Sequence, residues 1–376
     1  MVIADRMTGM EPLSVSQLVK QLARRHGCDV VGICPAGPIA RADFYRQWLA
    51  EGRHGQMAYL ARNQESRADP RALLPSARSA IVVGVSYHQP DAHSPSDESG
   101  TGTADPSEAA PDAPSATARG RVAMYAWNSD YHDVLRARLR GLVADLRERL
   151  GVEFDSRICV DTAPILEREL AAAAGLGWIG KNTMLLHPRL GSYLFLGVVL
   201  TSLDLAPDEP MPDRCGQCRK CLDACPTQAL HEPHAIDARL CISYLTIELR
   251  DRIPENLRPK MGDWVFGCDV CQQACPYNRK APAATDPAFA PNPMARGLEL
   301  TSLLGWDQGR YAHAVRGSAM ARARLAMMRR NAAVALGNVA ATCPPPLAQA
   351  ADDDDPMVAE HARWAVDRIR RRHQPQ

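Results

Sequence analysis

The stretch CGQCRKCLDACP (215–226), answered further on by CDVCQQACP (268–276), decides how this chain is read. In the first run Cys215, Cys218 and Cys221 stand at successive x2 spacings, and Cys225 follows after x3, directly before Pro226. Three thiolates on one tight loop can bind three irons of a cubane, while the fourth, beside proline, turns away to ligate a neighbouring cluster. The second run, Cys268, Cys271 and Cys275-Pro276, repeats the pattern with one member missing, because Val265 stands where the first cysteine belongs. Cys241 is the substitute from outside the loop. Cross-ligation then assigns Cys215, Cys218, Cys221 and Cys275 to one [4Fe–4S] cluster, and Cys225, Cys241, Cys268 and Cys271 to a second. Structural zinc sites use CxxC pairs separated by a longer loop. They account neither for three cysteines at successive x2 spacings nor for the prolines. Cys28, Cys34, Cys159 and Cys343 lack such spacing and read as small core residues.

The rest of the composition agrees with a metalloprotein. At 376 residues the chain has room for two or three domains. Lys and Arg number 44 against 43 Asp and Glu, a net charge of +1, so no whole-molecule field draws it to nucleic acid or membrane. The apolar run around 193–205 is too short and too polar to span a bilayer. The first residues, MVIADRMTGMEPLSV, lack the basic start and apolar stretch of a secretion signal. A cytoplasmic protein without membrane partners is expected, and dense cysteine triplets there suggest metal rather than disulfides.

Three segments follow from periodicity. In residues 1–206 a helix runs from Ser14 to Gly27, and Ala80 to Val85 read as a buried strand. Leu135, Leu139, Leu142, Leu146 and Leu150 line one face of a long helix, residues 157–160 form a strand, Pro164 opens a helix ending at Gly175, and 193–203 form a last strand. This alternation predicts an α/β domain with a partly parallel sheet. Residues 91–118, with six acidic side chains and four prolines, read as a disordered insertion. Residues 207–285 hold the cysteine module. Residues 286–376 read as helical, with two Ala-rich helices (329–338 and 360–366) at near-repeat spacing.

Within the first segment Gly175-Leu176-Gly177-Trp178-Ile179-Gly180 matches GxGxxG. That dinucleotide fingerprint has to follow a strand and open a helix; here it closes one, so the glycines read as a helix cap and close-packed loop. Asp161 stands where a strand ends and a helix begins, where open α/β sheets bind ligands; it could equally cap the helix. A general acid at neutral pH needs its pKa raised by desolvation, so Asp161 could donate a proton only beneath a large apolar ligand. Lys181 and Asn182 could bind an anion or amide or lie in a solvated loop. Asp130-Tyr131-His132 could supply a proton donor or stacking ring, or start the long helix.

Taken with MAYLAR (57–62), Asp130-Tyr131-His132, VDTAPILEREL (160–170), GLGWIGKN (175–182), CISYLTIEL (241–249), GCDVCQQACPYN (267–278) and RRNAAVALGN (329–338), the chain resembles the epoxyqueuosine reductases. These are cobalamin- and iron–sulfur-dependent enzymes of the last step of queuosine synthesis in tRNA. The stretches span most of the chain outside 91–118; Ser129 departs from the arginine of some relatives. The resemblance implies an α+β multidomain fold: a reductive-dehalogenase-like α/β domain holding base-off cobalamin, a two-cluster ferredoxin module, and a C-terminal HEAT-like helical domain that grips tRNA. It makes Asp161 the proton donor beneath the cofactor, Arg62 a cobalamin contact, and places Lys181, Asn182, Ser243, Cys268 and Asp269 in segments lining the corrin.

The implied reaction is a two-electron deoxygenation of the wobble nucleoside in the anticodon stem-loop, with Asp161 protonating the departing oxygen. An external donor such as flavodoxin or ferredoxin supplies electrons to what is expected to be a monomer. Arg310, Arg316, Arg322, Arg324, Arg329 and Arg330 lie in 310–330 without an acid, and a local patch of this kind can bind RNA; Arg322, Arg324, Arg329 and Arg330 are the expected tRNA contacts. A cobalamin reductase of small molecules, resembling dehalogenases, would leave the arginines without use. A ferredoxin fused to a scaffold would leave Asp161 and the glycine loop without purpose.

Overall fold

The computed structural model describes residues 12–90, 118–293 and 297–372, so the expected disorder of the 91–118 insertion lies outside the described residues but for Ala118. Helix α1 (Pro12–Arg25) ends before Gly27 and feeds strand β1 (Val30–Pro35), and β2 (Ser79–Ser86) is buried throughout. After β3 (Arg119–Val122) comes α2 (Tyr131–Leu150), which buries Leu135, Leu139, Leu142 and Leu146. Strand β4 (Ser156–Cys159) leads to α3 (Glu167–Ala173), the small hairpin β5 (Trp178–Ile179) and β6 (Leu185–Leu186), and β7 (Leu194–Thr201).

The main sheet has the order β1-β2-β7-β4, and every pairing in it is antiparallel, with Ile33 opposite Ile81, Ile81 opposite Val199 and Cys159 opposite Val198. The expected partly parallel sheet is therefore corrected. Helices cover both faces. Ile33, Ile81, Val83 and Val199 pack with Val19, Leu22, Leu139 and Leu142, whereas Cys34, Ala80, Val82 and Val198 pack with Leu170, Ala171 and Ala174. A strand buried on both faces is apolar throughout, whichever way its neighbours run. Pro164 precedes α3 rather than opening it, because residues 161–165 form a loop.

In the cysteine region lie α4 (Lys220–Asp223), α5 (Ile242–Ile247), β8 (Trp264–Phe266) and α6 (Val270–Gln273). Beyond it come β9 (Leu298–Glu299), α7 (Leu325–Val339) and α8 (Pro356–Arg372). Here β3 pairs in parallel with β8 and antiparallel with β9. That three-stranded sheet draws one strand from each of the segments 1–206, 207–285 and 286–376, and one apolar core runs from Val15 to Ile369. The segments are thus parts of one packed body. The two Ala-rich helices pack together closely: a Cβ on Gly337 of α7 would stand 2.8 Å from the Cβ of Ala365 on α8. Among the described residues no helix is long and apolar enough to cross a membrane.

Candidate active site and cluster-binding cysteines

The fold brings the eight spaced cysteines within reach of one another's charges. Cys221 feels the charges of Cys215, Cys275 and Cys218. Cys268 feels those of Cys241 and Cys225, and Cys271 those of Cys268 and Cys241. Cys221 also acts on Cys271, so the two groups adjoin. Burial, followed by these like-charged neighbours, raises the thiols: Cys221 to about 11, and Cys271 well above the ordinary value. Backbone N–H groups work the other way, those of Ser243 and Tyr244 on Cys241, of Val270 on Cys268, and of Tyr277 and Asn278 on Cys275. The buried indole N–H of Trp178, which has no other partner, lowers Cys215 in the same way. Half-buried thiols crowded by one another and given N–H donors fit a cationic centre, which deprotonates them outright. Among the described residues no three His, Cys, Asp or Glu side chains converge closely enough for a single metal ion. Of the other cysteines, Cys28, Cys34 and Cys159 are buried in the core as expected, their thiols pushed up by burial to about 12, 12 and 11; Cys343 is half-buried.

Asp161 follows β4 with φ of +55° and is not a helix cap; Leu166 holds that position. Its Oδ2 lies 3.1 Å from His132 Nε2, and His132 Nδ1 lies 2.6 Å from Asp130 Oδ1. Asp130 caps α2 and also accepts from the His132 N–H at 3.0 Å, so one residue starts the helix and fixes the imidazole. The ring of Tyr131 stacks on Phe195 at 4.4 Å, and its hydroxyl bonds to Asp161. Glu167, in the first turn of α3, accepts the Asp161 N–H at 2.6 Å and holds the loop.

The Asp161 side chain is 56% exposed, yet burial is the largest single influence on its titration. Both hold for a surface group crowded by the side chains of His132, Tyr131 and Glu167. Burial presses its pKa upward, but the bonds from His132 and Tyr131, aided by Arg322, outweigh this and keep the carboxyl below its ordinary range. For His132 burial opposes the charge, and Asp161 and Asp130 more than restore it, so its pKa is raised. Glu167, through burial and then the Asp161 charge, is pushed up to about 8. The raised pKa anticipated for Asp161 is thus found on its neighbours. Tyr125 feels the charges of Asp161, Asp269 and Glu248 and packs with Cys241 and Cys268 of the second cysteine group. Arg322 pairs with Glu248 at 2.9 and 3.0 Å and covers the exposed Tyr59 ring at 5.2 Å.

Several expected contacts are corrected. Arg330 is wholly buried, donating to the carbonyls of Leu245, Leu249 and Asp251 and to Asn331; no RNA can reach it. Arg329 is tied to the Leu304 carbonyl and to Asp353. Lys181 donates to Gly216 O at 2.5 Å, in the loop of the first cysteine group. Asp269, only 2% exposed, accepts from the Met124 N–H and Gln272 and ties the Tyr125 loop to the second cysteine run. Asn182 is buried, with its amide nitrogen unpartnered. Arg62 is exposed at the end of the short helix Ala58–Ala61, and Ser243 is half-buried in α5. Arg322 and Arg324 remain exposed. Gly175, with φ of +71°, follows the cap of α3, and a Cβ on Gly177 would stand 2.1 Å from Leu186 O, as a cap and close-packed loop require.

Two family models match: one described as a 4Fe-4S double cluster binding domain over residues 214–278, the other as epoxyqueuosine reductase QueG, DUF1730, over residues 67–162. An epoxyqueuosine reductase of Alicycliphilus denitrificans is 39% identical over 366 residues, covering 93% of this chain and 98% of its own. The chain belongs to the epoxyqueuosine reductase family. The Escherichia coli epoxyqueuosine reductase is 37% identical over 95% of this chain and 90% of its own. A crystal structure of an epoxyqueuosine reductase with an epoxyqueuosine-modified tRNA-Tyr stem loop is 30% identical, with a TM-score of 0.80 over 94% of this chain and 91% of that one. As an epoxyqueuosine reductase the chain is an oxidoreductase. Its double-cluster domain, 214–278, contains all eight spaced cysteines and holds two [4Fe–4S] clusters. Sequence reasoning left the role of His132 open and missed Glu167, Tyr125 and Tyr59. The segment Asp130-Tyr131-His132 and the glutamate of VDTAPILEREL carried the available signal.

Proposed function

We propose that this chain reduces epoxyqueuosine at the wobble position of the tRNA anticodon to queuosine, with the surface around Asp161 as the reaction site. Removing the epoxide oxygen as water consumes two electrons and two protons and leaves a carbon–carbon double bond. The observation that carries the reading is the joining of the Asp161, His132 and Glu167 set to the second cysteine group through Tyr125, which feels the Asp161 charge and packs with Cys241 and Cys268. Tyr59, Tyr125 and Tyr131 all stand within reach of the Asp161 charge, and aromatic rings around an exposed carboxyl suit a broad, largely apolar macrocycle such as base-off cobalamin. Bound there, cobalamin supplies reducing chemistry at a carbon centre.

The chain's own residues do the rest. The cysteine groups, Cys215, Cys218, Cys221 and Cys275 with Cys225, Cys241, Cys268 and Cys271, hold the clusters that pass single electrons inward. Asp161 aims a proton at the departing oxygen, because an alkoxide leaves poorly without one. Glu167, pushed up to about 8, holds a proton at neutral pH, and His132, its pKa raised by Asp161 and Asp130, is the second group placed to supply one of the two that the reaction consumes. Arg62 and Ser243 flank the macrocycle. Arg322 and Arg324, exposed beside Glu248 and Tyr59, meet the phosphates of the anticodon stem-loop, and the α7–α8 layer is a HEAT-like support for it. The protein works as a cytoplasmic monomer. The test is tRNA from cells lacking the protein, digested and analysed for the modified nucleoside. Accumulated epoxyqueuosine is expected; queuosine at its normal level overturns the reading.

A further inference from the structure

The two cysteine groups differ in their access to the surface. The residues beside Cys268 and Cys271 (Gly267, Asp269 and Gln272) are buried, whereas Cys215, Cys218 and Cys221 sit on a loop whose Gly216, Gln217, Arg219 and Lys220 are exposed. Tyr277 links the edges of this face, its hydroxyl donating to Arg214 O at 3.3 Å. Around it stand Arg214, Arg219, Lys220, Arg279 and Lys280, all exposed. The nearby acids are already engaged: Asp223 pairs with Arg219 at 3.7 Å, and Asp213 accepts from the Cys215 N–H and pairs with His234. Arg214, Lys220, Arg279 and Lys280 make no ion pair among the described residues. On a chain of net charge +1, four uncompensated cations ringing the shallower cysteine group form a local field of one sign.

We propose that this rim is the docking surface for a small acidic one-electron carrier protein, which places the electron entry at the first cysteine group and the exit at the second. The proposal rests on the reading of the cysteines as cluster ligands. One electron leaves the carrier and one cluster is reduced; no bond forms or breaks. A one-signed rim raises the association rate of an oppositely charged partner and aligns it, with a strong dependence on salt.

The test uses iron-loaded protein and the double variants Arg214→Glu/Lys220→Glu and Arg279→Glu/Lys280→Glu, with the milder Lys220→Gln and Lys280→Gln in reserve. Stopped-flow bleaching of the cluster absorbance is followed with reduced flavodoxin, an acidic carrier, and with dithionite, and the ratio of the two rates is compared. Binding of oxidised flavodoxin is measured by calorimetry in parallel. The ratio is expected to fall by about 10–100-fold in the charge-reversed proteins, flavodoxin affinity to weaken with it, and the wild-type rate to drop steeply between about 50 and about 300 mM salt. An unchanged ratio in iron-loaded variants overturns the docking surface alone. Variants that lose tRNA stem-loop binding but keep the flavodoxin rate overturn it too, and make the rim an RNA contact. Wild-type protein that takes up no iron or sulfide overturns the cluster reading first, a failure distinguishable by metal content.

Discussion

Replacing Glu167 by Gln separates two roles that one carboxyl combines. Its Oε1 accepts the Asp161 N–H at 2.6 Å, and the amide oxygen of Gln can do the same, so the loop at φ +55° keeps its latch. The titration is lost. A carboxyl that ionises near 4.5 in the unfolded chain and near 8 in the folded one holds its proton through burial and the adjacent Asp161 charge. Below pH 4.5 both states are protonated and the group costs the fold nothing. Between 4.5 and 8 the unfolded chain gives up its proton while the folded one retains it, so stability falls as the pH rises and levels off above about 8. At about 1.4 kcal/mol per pH unit the full difference is roughly 3–5 kcal/mol.

Melting temperatures of wild type and Glu167→Gln, measured side by side from pH 5 to 9, test this. Near pH 5 the two should differ little, and the variant should gain on the wild type as the pH rises through 8. A gap that does not change with pH refutes the burial argument and, with it, Glu167 as a proton store. Glu167→Ala removes the latch as well and should lower turnover at every pH.

Ligation across the two cysteine runs predicts that Cys275→Ser damages the first cluster and Cys225→Ser the second, although each cysteine lies in the other group's run; iron content and the spectrum of the surviving cluster after reconstitution decide it. Arg322→Ala and Arg324→Ala should each weaken stem-loop binding and reduce the slope of log affinity against log salt by about 0.7–0.9 per lost phosphate contact, read by fluorescence anisotropy across a salt series. Arg330→Met should cost several kcal/mol, since it strands three buried carbonyls at about 1–3 kcal/mol each, seen as a lower melting temperature or loss of soluble protein; binding that weakens in a fully stable variant would return Arg330 to the RNA interface.

What could be read in the sequence was what depends on near neighbours. The cysteine groups followed from x2 and x3 spacings because one tight loop fixes three thiols. The leucines of α2 and the buried β2 followed from the spacing of apolar residues. Sheet direction was not readable, because Ala80 to Val85 present the same apolar run whether their partners lie parallel or antiparallel. The arginine run misled for a related reason. Residues 310–330 contain no acid, but Asp353, 24 positions from Arg329, pairs with it, and Arg330 takes carbonyls about 80 positions away, while Arg322 stays exposed beside Glu248. His132 meets Asp161 across 29 positions, which no local pattern encodes.

That contact changes how the acid works. Asp161, exposed to water and held below its ordinary range, is the hydrogen-bond partner of His132, whose charged form it favours. On the proposed reading, macrocycle and nucleoside over Asp161 would exclude that water, and burial, already the largest influence on Asp161, would grow. An ion pair without solvent is disfavoured against the neutral pair that results when the proton passes from His132 Nε2 to Asp161 Oδ2, 3.1 Å away. On the proposed reading, the arrival of substrate would arm Asp161 as the acid, which would stay discharged at other times. His132→Gln preserves a hydrogen-bond donor but carries no transferable proton. It should lower single-turnover reduction by about 10²–10⁴-fold while stem-loop affinity holds, and the loss should deepen as the pH rises and other proton sources empty. Turnover in that variant at the wild-type rate would show that Asp161 draws its proton from elsewhere.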